Sequence, residues 1–114
     1  MQISQQENTT IFLWEAHDPI GADFRNQVKA HYKNMHQQNI VVDLSKVTEI
    51  DPIHVLEFSE LSVYNKEQVK KSFVIVVGHM KVDALPENIS VAPTLQEALD
   101  LVDMEEIERD LGYL

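Results

Sequence analysis

Cysteine is absent from the 114 residues, which removes disulfide frameworks, thiolate zinc sites and cysteine nucleophiles together. Glycine occurs only three times, too sparsely for a glycine-rich phosphate loop or a Gly-x-Ser-x-Gly nucleophile elbow. Basic residues are scarce as well: nine lysines and arginines face nineteen acids, for a formal net charge of -10. A surface of that sign repels a phosphate backbone instead of releasing its counterions, so nucleic acid is not an expected partner. No apolar run approaches the roughly 18 residues of a membrane span, and Met1-Gln2-Ile3-Ser4-Gln5-Gln6-Glu7 lacks the basic and then apolar order of a signal peptide. The expectation is a cytoplasmic protein with no membrane contact.

What is present reads as one ordinary globular domain. A hydrophobic content of 44% with 25% charged residues and no low-complexity tract suits a single core for a chain of this length, so residues 1–114 are taken as one unit. Thr9 to Ala16 (TTIFLWEA) is rich in β-branched and aromatic residues, and Glu7-Asn8 offers a turn from a first strand at Gln2 to Gln6. An N-terminal hairpin is predicted there. Asp18-Pro19-Ile20-Gly21 breaks the strand, and Phe24, Val28, His31, Tyr32 and Met35 then recur at helical spacing, predicting a helix over about Ala22 to His36.

Two runs without polar alternation follow, Asn39 to Leu44 and Ser72 to Gly78, and such runs suit parallel strands covered on both faces. Between them Pro52 to about Tyr64 reads as a helix, with Asp51 as N-cap and Pro52 at the first helical position, where its missing N–H costs nothing. Strand, helix and strand make a right-handed βαβ unit. A short turn or helix at Val82 to Leu85, a short strand at Ile89-Ser90-Val91 and a final helix complete the order. That helix opens on a capping box, Thr94 with Glu97 three residues on. The fold class expected is α/β: a mixed, mostly parallel sheet of about four to five strands with helices packed against it.

Ile40-Val41-Val42-Asp43-Leu44-Ser45-Lys46-Val47-Thr48-Glu49-Ile50-Asp51 resembles the signature of the STAS family, the anti-sigma-factor antagonists: a strand ending in Asp-Leu, a turn, and an Ile-Asp pair opening a helix. The ending Ala92-Pro93-Thr94-Leu95-Gln96-Glu97-Ala98-Leu99 is similar to the Thr-Leu-Glu-Glu-Ala-Leu close of many such domains. The resemblance implies a non-enzymatic bacterial regulator that binds another protein, such as an anti-sigma factor. It also exposes a departure. In the phosphoswitched antagonists Ser-Ser-Gly follows the Asp, whereas Pro52, Ile53 and His54 stand here, so no serine kinase has a hydroxyl to modify. The last stretch, Pro93 to Tyr113, also resembles the ending of short bacterial proteins called ribonuclease Z, but the His-x-His-x-Asp-His string that would hold two metal ions does not occur.

The remaining candidates for chemistry have simpler readings. His17, His31, His36, His54 and His79 are never spaced as a metal motif, and neither metal nor cofactor is expected. His54 stands where the family presents its switch; a surface histidine tuned by the helix terminus is one reading, a phosphohistidine or pH sensor the other. Asp43, Glu49 and Asp51 gather at a strand's C-terminal end, where open α/β sheets bind ligands, yet Asp51 reads as a cap and Asp43 as turn chemistry.

The middle helix has more apolar residues than one stripe needs: Ile53, Leu56, Leu61 and Tyr64 are assigned to the core, with Val55 and Phe58 turned either under a neighbouring helix or toward a partner. The last helix repeats the pattern. Leu95, Ala98, Leu99 and Val102 form one stripe, while Leu101, Met104, Ile107 and Leu111 lie nearly opposite, so either the helix bends after Asp103 or it exposes a second stripe.

Seven acids lie between Glu97 and Asp110 with Arg109 the single base, and 105–114 is expected to be an interaction extension that contributes little to the core. The partner-binding candidates are therefore Asp51, Pro52, Ile53, His54, Val55, Phe58, Met104, Ile107 and Leu111. The partner expected is a protein, with a homodimer, a structural homo-oligomer and a small hydrolase or nuclease-associated accessory protein as alternatives.

Overall fold

In the computed structural model, which describes residues 1–15, 22–33, 37–47, 50–78 and 85–113, the N-terminal hairpin forms as predicted: Gln2–Gln6 (β1) pairs antiparallel with Thr9–Leu13 (β2) around Glu7 and Asn8. Glu7 adopts φ 53° in that two-residue loop, a conformation more natural to glycine. Asn39–Asp43 (β3) adds to β2 in parallel, then Phe73–Val76 (β4) and Ser90–Ala92 (β5) add in turn, so the sheet has the order β1-β2-β3-β4-β5. The result is an α/β domain with a five-stranded, mostly parallel sheet and helices packed against it. Its radius of gyration is 13.1 Å, that of one folded unit of this length.

The connections explain which face each helix covers. Ala22–Tyr32 (α1) links β2 to β3; Pro52–Leu56 (α2) and Ser59–Tyr64 (α3) link β3 to β4. Both crossovers step the same way along the sheet, and right-handedness therefore puts them on one face. There Phe12, Ile40, Val42, Phe73 and Ile75 from the strands pack on Phe24 and Val28 of α1 and on Val55, Phe58 and Leu61. The alternate strand residues Ile11, Val41, Val74 and Val76 face the other way, onto Ala98 and Val102 of Leu95–Asp110 (α4). With both faces covered, every residue of β3 and β4 is buried, which accounts for the apolar runs in the sequence. By contrast β1 is exposed along its whole length, as the polar edge of the sheet.

The middle helix corrects the sequence reading. Val55 and Phe58 are buried (0% and 1% exposed), while Ile53 and Tyr64, assigned to the core, are 61% and 52% exposed and Leu56 also faces out. The register that wins is Val55, Phe58, Leu61 with Ser62, then Asn65, a three-and-four spacing whose last members are polar. It is kept through a tightened turn, Phe58 N–H to Val55 O at 3.0 Å, between α2 and α3. The segment also continues past Tyr64 as a π-helical turn, Asn65–Val69, closed by Lys70 in the left-handed region (φ 64°).

At the C-terminal helix the predicted cap is present: Thr94 Oγ1 accepts the Glu97 backbone N–H at 3.1 Å. α4 runs uninterrupted for 16 residues, so Met104, Ile107 and Leu111 of the second apolar stripe are presented outward, whereas Leu101 is half-buried against the core. In α1, Phe24 and Val28 are buried as predicted, but His31 is exposed, its ring 6.4 Å from that of Phe12. Asp18 to Gly21, Met35 and Val82 to Ala84 lie outside the described residues, as do His17, His36, His79 and Glu49.

Candidate functional site

At the head of α2 a short cap fixes the corner that the sequence singled out. Asp51 is extended (φ -104°, ψ 155°), Pro52 begins the helix, and the Asp51 backbone N–H donates to His54 Nδ1 at 3.1 Å while the His54 N–H donates to the Asp51 carbonyl at 3.0 Å. His54 thus acts as a capping side chain, and its acceptor role requires an unprotonated Nδ1. Of the proposed partner residues here, Asp51 and Ile53 are exposed, Pro52 and His54 half-buried, and Val55 and Phe58 are core. The last two are withdrawn as contact residues, because a side chain sealed between sheet and helix presents no surface. Leu56, on the same outer side as Ile53, takes their place. Asp43 carries the predicted turn chemistry: its Oδ1 accepts the Ser45 N–H at 2.9 Å.

The second candidate surface is the outer side of α4, where Met104, Ile107 and Leu111 are 57%, 60% and 63% exposed. Their spacing of three and four places them on one face. The inner side of the same turns is fastened to the domain: Glu105 accepts from Ser72 Oγ, Arg109 donates to that hydroxyl, and Glu106 accepts from Asn39 Nδ2 at 2.6 Å and lies 3.8 Å from Lys71. Residues 105–109 are therefore part of the fold, not a segment that hangs free. Since α2 and α4 pack on opposite faces of the sheet, the structure does not bring the two candidate surfaces together.

What the sequence did not reveal lies at the end of the sheet where β3 and β4 begin. Asn39 Oδ1 accepts the Ser72 N–H at 2.8 Å, Asn65 Nδ2 donates to Ser72 O at 2.9 Å and to Gln38 O at 3.2 Å, and Tyr32 Oη donates to Asn65 Oδ1 at 2.6 Å. This clasp joins α1, the π-helical turn and both central strands. Burial, helped by Tyr64, pushes the Tyr32 hydroxyl up to about 12, so it remains a donor across the ordinary pH range. Beside the clasp a cavity of about 480 Å³ is lined by Lys66, Lys70, Lys71, Glu105 and Arg109. Lys66 donates to Asn88 O (3.0 Å) and Ser90 Oγ (2.7 Å); burial lowers its amine below the usual lysine range, and Glu105 opposes that shift. Lys66, Lys70 and Lys71 sit close together in the sequence, but only the fold adds Arg109 to them.

Among the described residues no three histidines or carboxylates converge as metal ligands, and none of the polar groups at either surface forms a nucleophile with a positioned base. No helix of the described residues is long and apolar enough to cross a membrane. The chain matches no protein-family model, and no curated protein matches it.

Proposed function

We propose that this chain is a non-enzymatic regulatory module of a bacterial cytoplasm that works by binding another protein, in the manner of the STAS-type antagonists its motifs resemble. The observation that carries this reading is the stripe of Met104, Ile107 and Leu111, three large apolar side chains exposed on the outer face of a helix whose inner face is fixed to the sheet. A helix anchored in that way offers preformed anchors, which lowers the ordering cost of docking. Asp103, Glu108 and Asp110 beside the stripe favour a basic counterpart and speed its approach. At the Asp51 corner, Ile53 and Leu56 offer a smaller apolar contact, and with proline, isoleucine and histidine in place of the serines, binding there runs without the usual phosphate switch.

The test is capture of partners by the tagged protein from its native cells, identified by mass spectrometry, beside an Ile107→Ser/Leu111→Ser variant. A stoichiometric protein companion lost in the variant supports the reading. Recovery of further copies of the chain alone would make it a homo-oligomer, and turnover of a substrate by the pure protein would replace the reading with an enzymatic one. A phosphate mapped to Asp51-Pro52-Ile53-His54 in protein from native cells would restore a switch at this corner.

A further inference from the structure

A second cavity, of about 600 Å³, opens between α1 and the α3 to π-turn segment, at the end of the sheet where β3 begins. It is separate from both surfaces proposed for protein binding. Its volume falls within the roughly 300–1,000 Å³ of small-molecule sites. Arg25 and Lys29 of α1 and Lys33 just past its end line it from one side, at i, i+4 and i+8, and Glu60 is the sole carboxylate on the wall. In a chain of net charge -10 with nine basic residues, three of them therefore converge on one cavity. Arg25 is compensated by Glu57 at 3.8 Å, whereas Lys29 and Lys33 form no ion pair among the described residues. Lys29, in the last turn of α1, also faces the negative end of the helix dipole, but like charges at i, i+4 repel one another, and a bound anion relieves that repulsion at all three positions.

The rest of the wall limits what that anion can be. Leu61 and Val69 supply apolar surface, and the ring of Tyr64, half exposed at the mouth, stands edge-on to Tyr32 at 6.2 Å and 79°. The site therefore suits a molecule with a flat apolar body. Two of the three shielded side-chain polar atoms without a partner among the described residues belong to this wall, Arg25 Nε and Gln38 Oε1. Such atoms carry a desolvation cost that a bound polar group offsets, once a small side-chain rotation turns them inward. A polyanion is disfavoured by the protein's overall charge, but a small anion entering a cationic recess feels mainly the charges within about 8 Å, the screening length at physiological salt.

We propose that this cavity binds a small aromatic organic anion, its acidic group held by Lys29, Lys33 and Arg25 and its ring laid against Tyr64. Recognition divides accordingly: the cations supply the affinity for charge, Tyr64 and the apolar wall select a ring, and Gln38 accepts from a hydroxyl or N–H of the ligand.

The experiment is a titration of the ¹⁵N-labelled full chain, followed by NMR, with 4-hydroxybenzoate, indole-3-acetate and naphthalene-2-sulfonate, and with 4-hydroxybenzyl alcohol and inorganic phosphate as controls. At least one aryl anion is expected to give saturable shifts confined to amides of α1 and of residues 33, 37–40 and 60–69. Binding should weaken about tenfold or more for the neutral alcohol, for phosphate and in a Lys29→Gln/Lys33→Gln variant, tenfold being the effect of about 1.4 kcal/mol. Both lysines are exposed, and the variant's own spectrum reports that it is folded. No saturable shift with any of the three anions, shifts centred elsewhere, or equal binding by the alcohol, by phosphate or by the variant would overturn the proposal. Since the Met104 stripe takes no part, loss of partner capture and loss of anion binding are read separately.

Discussion

Asn39 holds Ser72 from the neighbouring strand end: its side-chain oxygen accepts the Ser72 backbone N–H at 2.8 Å, and both residues are fully buried. The same amide donates to Glu106, and Ser72 Oγ bonds Glu105 and Arg109, so the two residues tie the starts of β3 and β4 to the last turns of α4. Asn39→Ala should leave a buried N–H without a partner, at a cost of about 1–3 kcal/mol. Urea unfolding measures this, and amide exchange in 104–110 should rise in step. Unchanged stability would mean that the clasp is dispensable.

Truncation and surface substitution should part company along α4. Removing residues after Met104 deletes Glu105, Glu106 and Arg109, which bond to Ser72 and Asn39, and should lower Tm by several degrees, from lost hydrogen bonds worth about 1 kcal/mol each. Ile107→Ser with Leu111→Ser touches only exposed side chains and should leave Tm within about a degree or two, as surface changes of roughly ±0.5 kcal/mol do. Thermal unfolding of the two variants in parallel checks both halves.

Val74 lies at the centre of the sheet with no exposure, packed on the α4 side. Val74→Asp puts an unpaired carboxylate there, and the protein should fail to fold at neutral pH, since the penalty is comparable to the whole stability of a domain of this size. A soluble variant with a native, cooperative melt would contradict the sheet order described above.

Tyr32 predicts a specific alkaline weakness. Its hydroxyl is raised to about 12 in the fold by burial and then by Tyr64, against an ordinary value of 10.0. The folded state therefore holds this proton more tightly than the unfolded chain. The associated stability is complete below pH 10 and is lost as pH rises through about 12. Tyr32→Phe should show a shallower decline over that window, together with a loss of about 1 kcal/mol at pH 8 from the missing bond to Asn65. Denaturant midpoints at pH 8 and pH 11 for both proteins give the comparison.

The local chemistry of this chain was legible in its residues. Glu7-Asn8 marks the hairpin, the unbroken apolar runs mark β3 and β4, Pro52 opens α2, and Thr94 with Glu97 opens α4, because strand burial, proline and caps each act within a few residues. The outward stripe of α4 was half legible: the spacing offered two alternatives, and the uninterrupted helix selected one. Tertiary structure alone decided the face of the middle helix. Ile53, Leu56 and Tyr64 look as suited to a core as Val55, Phe58 and Leu61, and the buried stripe carries two polar residues, Ser62 and Asn65. Asn65 belongs inside only because Tyr32, Gln38 and Ser72, distant or merely nearby in sequence, converge to satisfy its amide. The cationic recesses have the same origin: Lys66 meets Arg109 across a cavity, and the α1 cations meet Tyr64, because long-range packing sets those neighbours and no local propensity encodes them.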